Sequence, residues 1–72
     1  MGHMTFGERL CEELHSLGIS QAELARRLDV HPTAVAQWVR DAWPPTFGNL
    51  FRIAEALDTT PSRLLEGVNL AA

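Results

Sequence analysis

Five helix-start signals recur at short intervals along this chain and leave room for short helices only. Thr5-Phe6-Gly7-Glu8 and Ser20-Gln21-Ala22-Glu23 both have capping-box form, in which a hydroxyl accepts an orphan backbone N–H and the glutamate reaches back to the cap. His31-Pro32 and Thr60-Pro61 each set a cap before a proline, and a proline in the first turn removes only an N–H that has no intrahelical partner. Thr46 supplies one more cap.

The apolar positions between these signals repeat at helical spacing. Phe6, Leu10, Leu14 and Leu17 predict a first helix from about Phe6 to Leu17, with Gly18 as its left-handed stop. Ala22, Leu24, Ala25 and Leu28 predict a second helix of two turns that breaks at Asp29. Val35, Trp38 and Val39 form the apolar side of a third, from Pro32 to Arg40. Asp41-Ala42-Trp43-Pro44-Pro45 is a loop, because consecutive prolines remove donors and push the preceding residues extended. Phe47, Leu50, Phe51, Ile53, Ala54 and Leu57 mark a fourth helix, and Leu64 and Leu65 a fifth that Gly67 ends. The expected fold class is all-α, a compact five-helix domain without strands.

At 72 residues the chain holds one small core and has no room for a catalytic cleft between layers. Residues 4–67 are expected to form that domain. Met1-Gly2-His3 ahead of a second methionine reads as a cloning remnant, with neither the charged region nor the apolar stretch of a signal peptide. Residues 68–72 read as a tail, a linker to a further C-terminal domain, or part of a dimer contact together with the fifth helix. Apolar runs are too short for a membrane span. Cys11 is the single cysteine, which excludes an internal disulfide and fits a reducing, cytoplasmic compartment. His3, His15 and His31 do not converge on a metal, so neither metal nor cofactor is expected.

The formal net charge is −3, unfavourable for a general binder of phosphate backbones. The surplus lies towards the two ends: between residues 20 and 45, Arg26, Arg27 and Arg40 balance Glu23, Asp29 and Asp41. Every fixed cation is an arginine, a bias that serves phosphate and base recognition and also follows from genomic base composition. No nucleophile–base pair or glycine-rich phosphate loop is present, and Glu12 and Glu13, neighbours in sequence, face different directions on a helix. An enzyme is not expected.

Residues 21–40 place two short helices around the turn Asp29-Val30-His31, with Ala25 small where the second helix must pass close to the first. This is helix-turn-helix spacing. Leu24, Leu28, Val30, Val35 and Trp38 face the rest of the core. Thr33, Ala34, Ala36, Gln37 and Arg40 are left on other faces of the third helix.

Ile19-Ser20-Gln21-Ala22-Glu23-Leu24-Ala25, Val30 through Val39, Pro45 before Asn49-Leu50, and Ile53-Ala54-Glu55-Ala56-Leu57 followed by Leu64-Leu65 together resemble one family. It is the helix-turn-helix of phage repressors and Cro proteins, the XRE type with a lambda-repressor-like fold, and the resemblance covers about residues 5–66. It implies sequence-specific binding of double-stranded DNA by a transcriptional regulator, as a repressor and as a homodimer, with the third helix in the major groove. The implied base contacts are Pro32, Thr33, Ala34, Ala36 and Gln37. Gln37 is suited to adenine and Thr33 to a thymine methyl or a polar edge. The implied phosphate contacts are Gln21, Arg26, His31, Arg40, Trp43 and Thr46.

Three positions depart from the family pattern. Asp29 stands at the turn position that is usually glycine, where it must take a left-handed conformation. Val39 and Asp41 replace the acidic residue and the glycine that follow the tryptophan, and Pro32 replaces a polar reader. Trp38 belongs to the core, whereas Trp43 has three readings: covering the core edge, touching the DNA backbone, or packing on a partner. Two alternatives of function stay open, a protein-interaction module of the same fold without DNA binding and the antitoxin of a toxin–antitoxin pair.

Overall fold

A computed structural model describes residues 4–68. The five helices occur in the expected order: α1 Phe6–Leu17, α2 Gln21–Leu28, α3 Pro32–Val39, α4 Phe47–Ala56 and α5 Pro61–Leu64. Each starts at its expected cap. Thr5 Oγ1 accepts from Glu8 N at 3.1 Å while Glu8 Oε1 accepts from Thr5 N at 2.9 Å. Ser20, Thr46 and Thr60 accept from Glu23, Asn49 and Arg63 N–H in the same way. The second capping box is only half formed: Ser20 does its part, but the Glu23 carboxylate turns to Arg26 and Arg27 instead of the Ser20 backbone.

Four helices stop by one device. After α1 the N–H of Gly18 bonds to His15 O and that of Ile19 to Leu14 O, a pattern that satisfies terminal carbonyls and requires a left-handed residue. The same pair of bonds closes α2 at Asp29, the turn after α3 at Asp41 and the turn after α4 at Asp58. Those three aspartates stand at φ 56°, 58° and 55°. The left-handed conformation expected of Asp29 is present, and Asp41 and Asp58 repeat it at two further turns.

Leu10, Leu14, Leu24, Leu28, Val35, Trp38, Leu50, Ile53, Leu57 and Leu64 form the core, with Ala25 and Ala54 at its close crossings. Four of the apolar residues that mark the helices, Leu17, Ala22, Phe47 and Phe51, are exposed. Leu17 is 45% exposed, because it is the last residue of α1 and Ile19, past the turn, packs on the core in its place. Phe47 and Phe51 are 82% and 61% exposed, since Leu50, Ile53, Ala54 and Leu57 already turn one face of α4 inward.

Arginines tie helix ends together. Arg52 of α4 donates to the carbonyl of Leu28, the last residue of α2, and Arg27 of α2 returns the contact to Ala56 O at the end of α4, at 3.0 Å. Both satisfy orphan carbonyls at the negative end of a helix dipole. Arg9 is buried on α1, where it donates to Arg63 O at 3.0 Å and pairs with Glu13 at 2.9 Å.

The expected cloning remnant at residues 1–3 and the tail residues 69–72 lie outside the described residues. Val68 is half-buried and pairs with Met4 in an isolated parallel bridge. No helix among the described residues is long and apolar enough to cross a membrane.

Candidate nucleic-acid interface

α3 is built to present one face. Pro32 starts it, and His31 caps it by accepting the Thr33 N–H on Nδ1 at 3.1 Å. That bond leaves the ring proton of a neutral imidazole on Nε2, free to donate away from the helix. Val35 and Trp38 anchor the inner face, and buried Ala25 lets α2 and α3 approach closely. On the other side Thr33, Gln37 and Arg40 follow at spacings of four and three, so they form a single stripe. Thr33 and Arg40 are exposed and Gln37 is half-buried.

The remaining expected contacts are placed unevenly. Pro32 is exposed at the first turn of α3, Ala36 is half-buried, and Ala34 is half-buried and packs against the core. Gln21 is exposed at the first position of α2. Thr46 is exposed, with its oxygen accepting from Asn49 N–H and its own proton still available. Trp43 is 63% exposed on the loop, which removes the core-covering reading.

Charge is arranged by pairing. Arg26 grips Glu23 with two hydrogen bonds, at 2.6 and 3.0 Å, and Arg27 adds a third at 3.0 Å. Those bonds, Arg26 first and Arg27 second, hold the Glu23 carboxyl down at about 2. Arg26 is therefore engaged within its own helix. Arg40 has no carboxylate within 4 Å among the described residues, so it is the cation that the stripe on α3 carries outward.

Asp41, which stands where the family pattern has glycine, is exposed, and its carboxylate is engaged at the start of α1. Its Oδ1 accepts the backbone N–H of Gly7 at 2.9 Å, at the positive end of the α1 dipole. The approach is so close that a Cβ on Gly7 would sit 2.3 Å from Val39 O and 2.8 Å from Trp38 O. The sequence offered no direct signal for this contact, since Gly7 occupied an ordinary position inside a capping box. The roles of Arg9, Arg27 and Arg52 were also missed, although the four-residue spacing of Arg9 and Glu13 was a usable sign.

Comparison with known proteins settles the ancestry. A family model described as helix-turn-helix matches residues 12–64, from the middle of α1 to the end of α5. The chain belongs to this helix-turn-helix family. Among curated relatives of this helix-turn-helix domain, repressor protein C2 of Salmonella phage P22 is 34% identical over 67 residues, covering 93% of this chain and 31% of the relative. The HTH-type transcriptional regulator DicA of Escherichia coli K12 is 34% identical over 65 residues, covering 90% of this chain and 48% of the relative. The chain thus spans less than half the length of either.

The solution structure of the DNA-binding domain of the P22 c2 repressor is similar to this helix-turn-helix domain with a TM-score of 0.84 at 32% identity, over 100% of this chain and 96% of that one. A crystal structure of the P22 c2 repressor with a synthetic operator is similar with a TM-score of 0.78 at 34% identity, over 89% of this chain and 97% of that one. The five-helix, lambda-repressor-like architecture is the one these domains share.

Proposed function

We propose that this chain binds double-stranded DNA sequence-specifically as the reading domain of a transcriptional repressor, with α3 in the major groove and two copies on a two-fold related site. The observation that carries the proposal is the outward stripe of Thr33, Gln37 and Arg40 on α3, held by the buried Val35 and Trp38. Support comes from the P22 c2 repressor, whose similar domain has been crystallised with a synthetic operator. Gln37 reads a base edge through its amide and Thr33 a methyl or polar edge, each pair discriminating by about 1–3 kcal/mol. Pro32 and Ala36 add apolar contact beside them, while Ala34 contributes its backbone position more than its methyl.

Phosphates are held by Arg40, by the Nε2–H of His31, by the Thr46 hydroxyl and by Gln21 at the start of α2, with Trp43 against the sugar–phosphate edge. Arg26 reaches a phosphate only by loosening its grip on Glu23, so it ranks below Arg40. With so few outward cations a single copy binds weakly, and a two-fold arrangement doubles the contacts.

The test is selection from randomised duplex DNA, read by sequencing, at low and near-physiological salt. Inverted half-sites about 10 base pairs apart, or a multiple of that, are expected. Gln37→Ala should then relax the preference at one position of each half-site and weaken binding by about 1–3 kcal/mol. Recovery of no motif at either salt would overturn the proposal.

A further inference from the structure

The connection between α3 and α4, residues 40–46, carries two of the groups assigned to the DNA backbone, Trp43 and Thr46, and has few bonds of its own to hold them. Trp43 is exposed, and Pro44 and Pro45 have no N–H to donate. The backbone bonds of the segment are local, as in Asp41 N–H to Trp38 O, Ala42 N–H to Gln37 O and Leu50 N–H to Thr46 O. Among the described residues, the one hydrogen bond from this segment to a distant element is that of Asp41 Oδ1 to the Gly7 N–H.

We infer that the Asp41 carboxylate is a positioning residue for the grip on the DNA backbone: it latches the connection to α1 and so places Trp43 and Thr46. The chain leaves α3 at Asp41 with φ 58°, and Pro44 and Pro45 then lock their own φ angles. A direction set at Asp41 is therefore carried stiffly to Thr46. A hydrogen bond to a phosphate does not survive a swing beyond the ordinary donor–acceptor distance. The turn itself does not need a side chain, since the family pattern has glycine here; what the carboxylate adds is the tether.

Base reading is held by other means. Thr33 and Gln37 stand on α3, which the buried Val35 and Trp38 anchor, and the Arg40 N–H is bonded to Ala36 O. Loss of the latch should therefore weaken the grip and leave the base preference alone. Charge gives this effect a distinct sign. A carboxylate near DNA repels phosphates, so its removal by itself tightens binding. Loss of the tether acts in the opposite direction. Asp41→Asn removes the charge and keeps an oxygen to accept the Gly7 N–H, whereas Asp41→Gly removes both and suits the left-handed backbone.

The inference rests on the DNA-reading function, and its test begins from a duplex that the wild-type chain selects. Asp41→Gly, Trp43→Ala and the two combined form a cycle, with Asp41→Asn and Asp58→Gly beside it, each shown by a thermal melt to be folded. Asp41→Gly should bind about tenfold more weakly, on the selected duplex and on altered ones alike, as for one lost hydrogen bond to a charged group. Trp43→Ala should weaken binding in the wild-type background and add nothing to Asp41→Gly. Asp41→Asn should bind at least as tightly as wild type. Asp58→Gly, which removes a charge from the same kind of turn after α4, should bind no more weakly. Additive losses from Asp41→Gly and Trp43→Ala would overturn the inference, and so would equal tightening by Asp41→Gly and Asp41→Asn. A wild-type chain that selects no duplex overturns the DNA reading and the inference with it, a result distinct from a chain that reads DNA and ignores the latch.

Discussion

The turns on either side of α3 are built alike and weigh differently. Asp29 before α3 and Asp41 after it both stand in the left-handed region, at φ 56° and 58°, and both close a helix with the same pair of backbone bonds. The carboxylate of Asp29 is exposed, and among the described residues it makes no hydrogen bond or ion pair within the domain. The carboxylate of Asp41 reaches back to the Gly7 N–H and pins the exit of α3 to the start of α1. One turn is local and the other is tertiary. The difference arises because α1 begins where α3 ends, so a side chain at Asp41 finds a helix N-terminus within reach.

The largest effect should come from filling the contact at Asp41. Gly7→Ala places a methyl 2.3 Å and 2.8 Å from two backbone carbonyls, which cannot swing aside as a side chain can. Overpacking of this kind costs about 3 kcal/mol, and for a domain of this size the Tm should fall by about 12 °C or more in a thermal melt. A variant that melts like wild type would show that α1 and α3 slide past each other freely, and the turn at Asp41 would then be as local as the one at Asp29.

Removing the carboxylate is the next step down. Asp41→Ala loses a hydrogen bond between a charge and a helix N-terminus and sets a Cβ residue with no compensating side chain in the left-handed region, at a cost of about 2 kcal/mol. Asp41→Asn keeps an acceptor and tolerates the backbone, so it should recover most of that loss. If both variants lose equally, the contribution is the charge at the α1 dipole rather than the hydrogen bond.

The same contrast explains what the sequence made legible. Helix starts were readable because a cap acts within its own first turn, and Thr5, Ser20, His31, Thr46 and Thr60 all cap as their local pattern predicts. The outward stripe of Thr33, Gln37 and Arg40 was readable for the same reason, since helical spacing fixes it once Val35 and Trp38 are taken as core. What stayed hidden depends on partners far along the chain. Asp41 read only as a departure from the family's glycine, and its hydrogen bond with the Gly7 N–H depends on a partner 34 residues away. Glu23 looked like half of a capping box, yet two arginines on its own helix compete for it better than the Ser20 backbone does. Phe47 and Phe51 marked α4 by their apolar type, and that type alone did not tell that Leu50, Ile53, Ala54 and Leu57 fill its inner face and leave both rings exposed.

The smallest effect, and opposite in sign, belongs to Asp29. A left-handed L-residue costs about 1–2 kcal/mol, aspartate at the low end of that range, and its charge lies at the negative end of α2 for a further few tenths. Asp29→Gly removes both costs and loosens the unfolded chain, so the net should be a gain of about 0.5 kcal/mol and a Tm higher by about 2–4 °C. Asp29→Asn removes the charge while keeping a residue that tolerates this backbone. If Asn matches Gly, the helix dipole is what Asp29 works against; if only Gly gains, the cost is the backbone. Asp41→Gly should gain nothing, because the strain it relieves is offset by the lost bond to Gly7. Equal gains from glycine at both turns would mean that the contact to α1 contributes no stability, and the two turns would be equivalent after all.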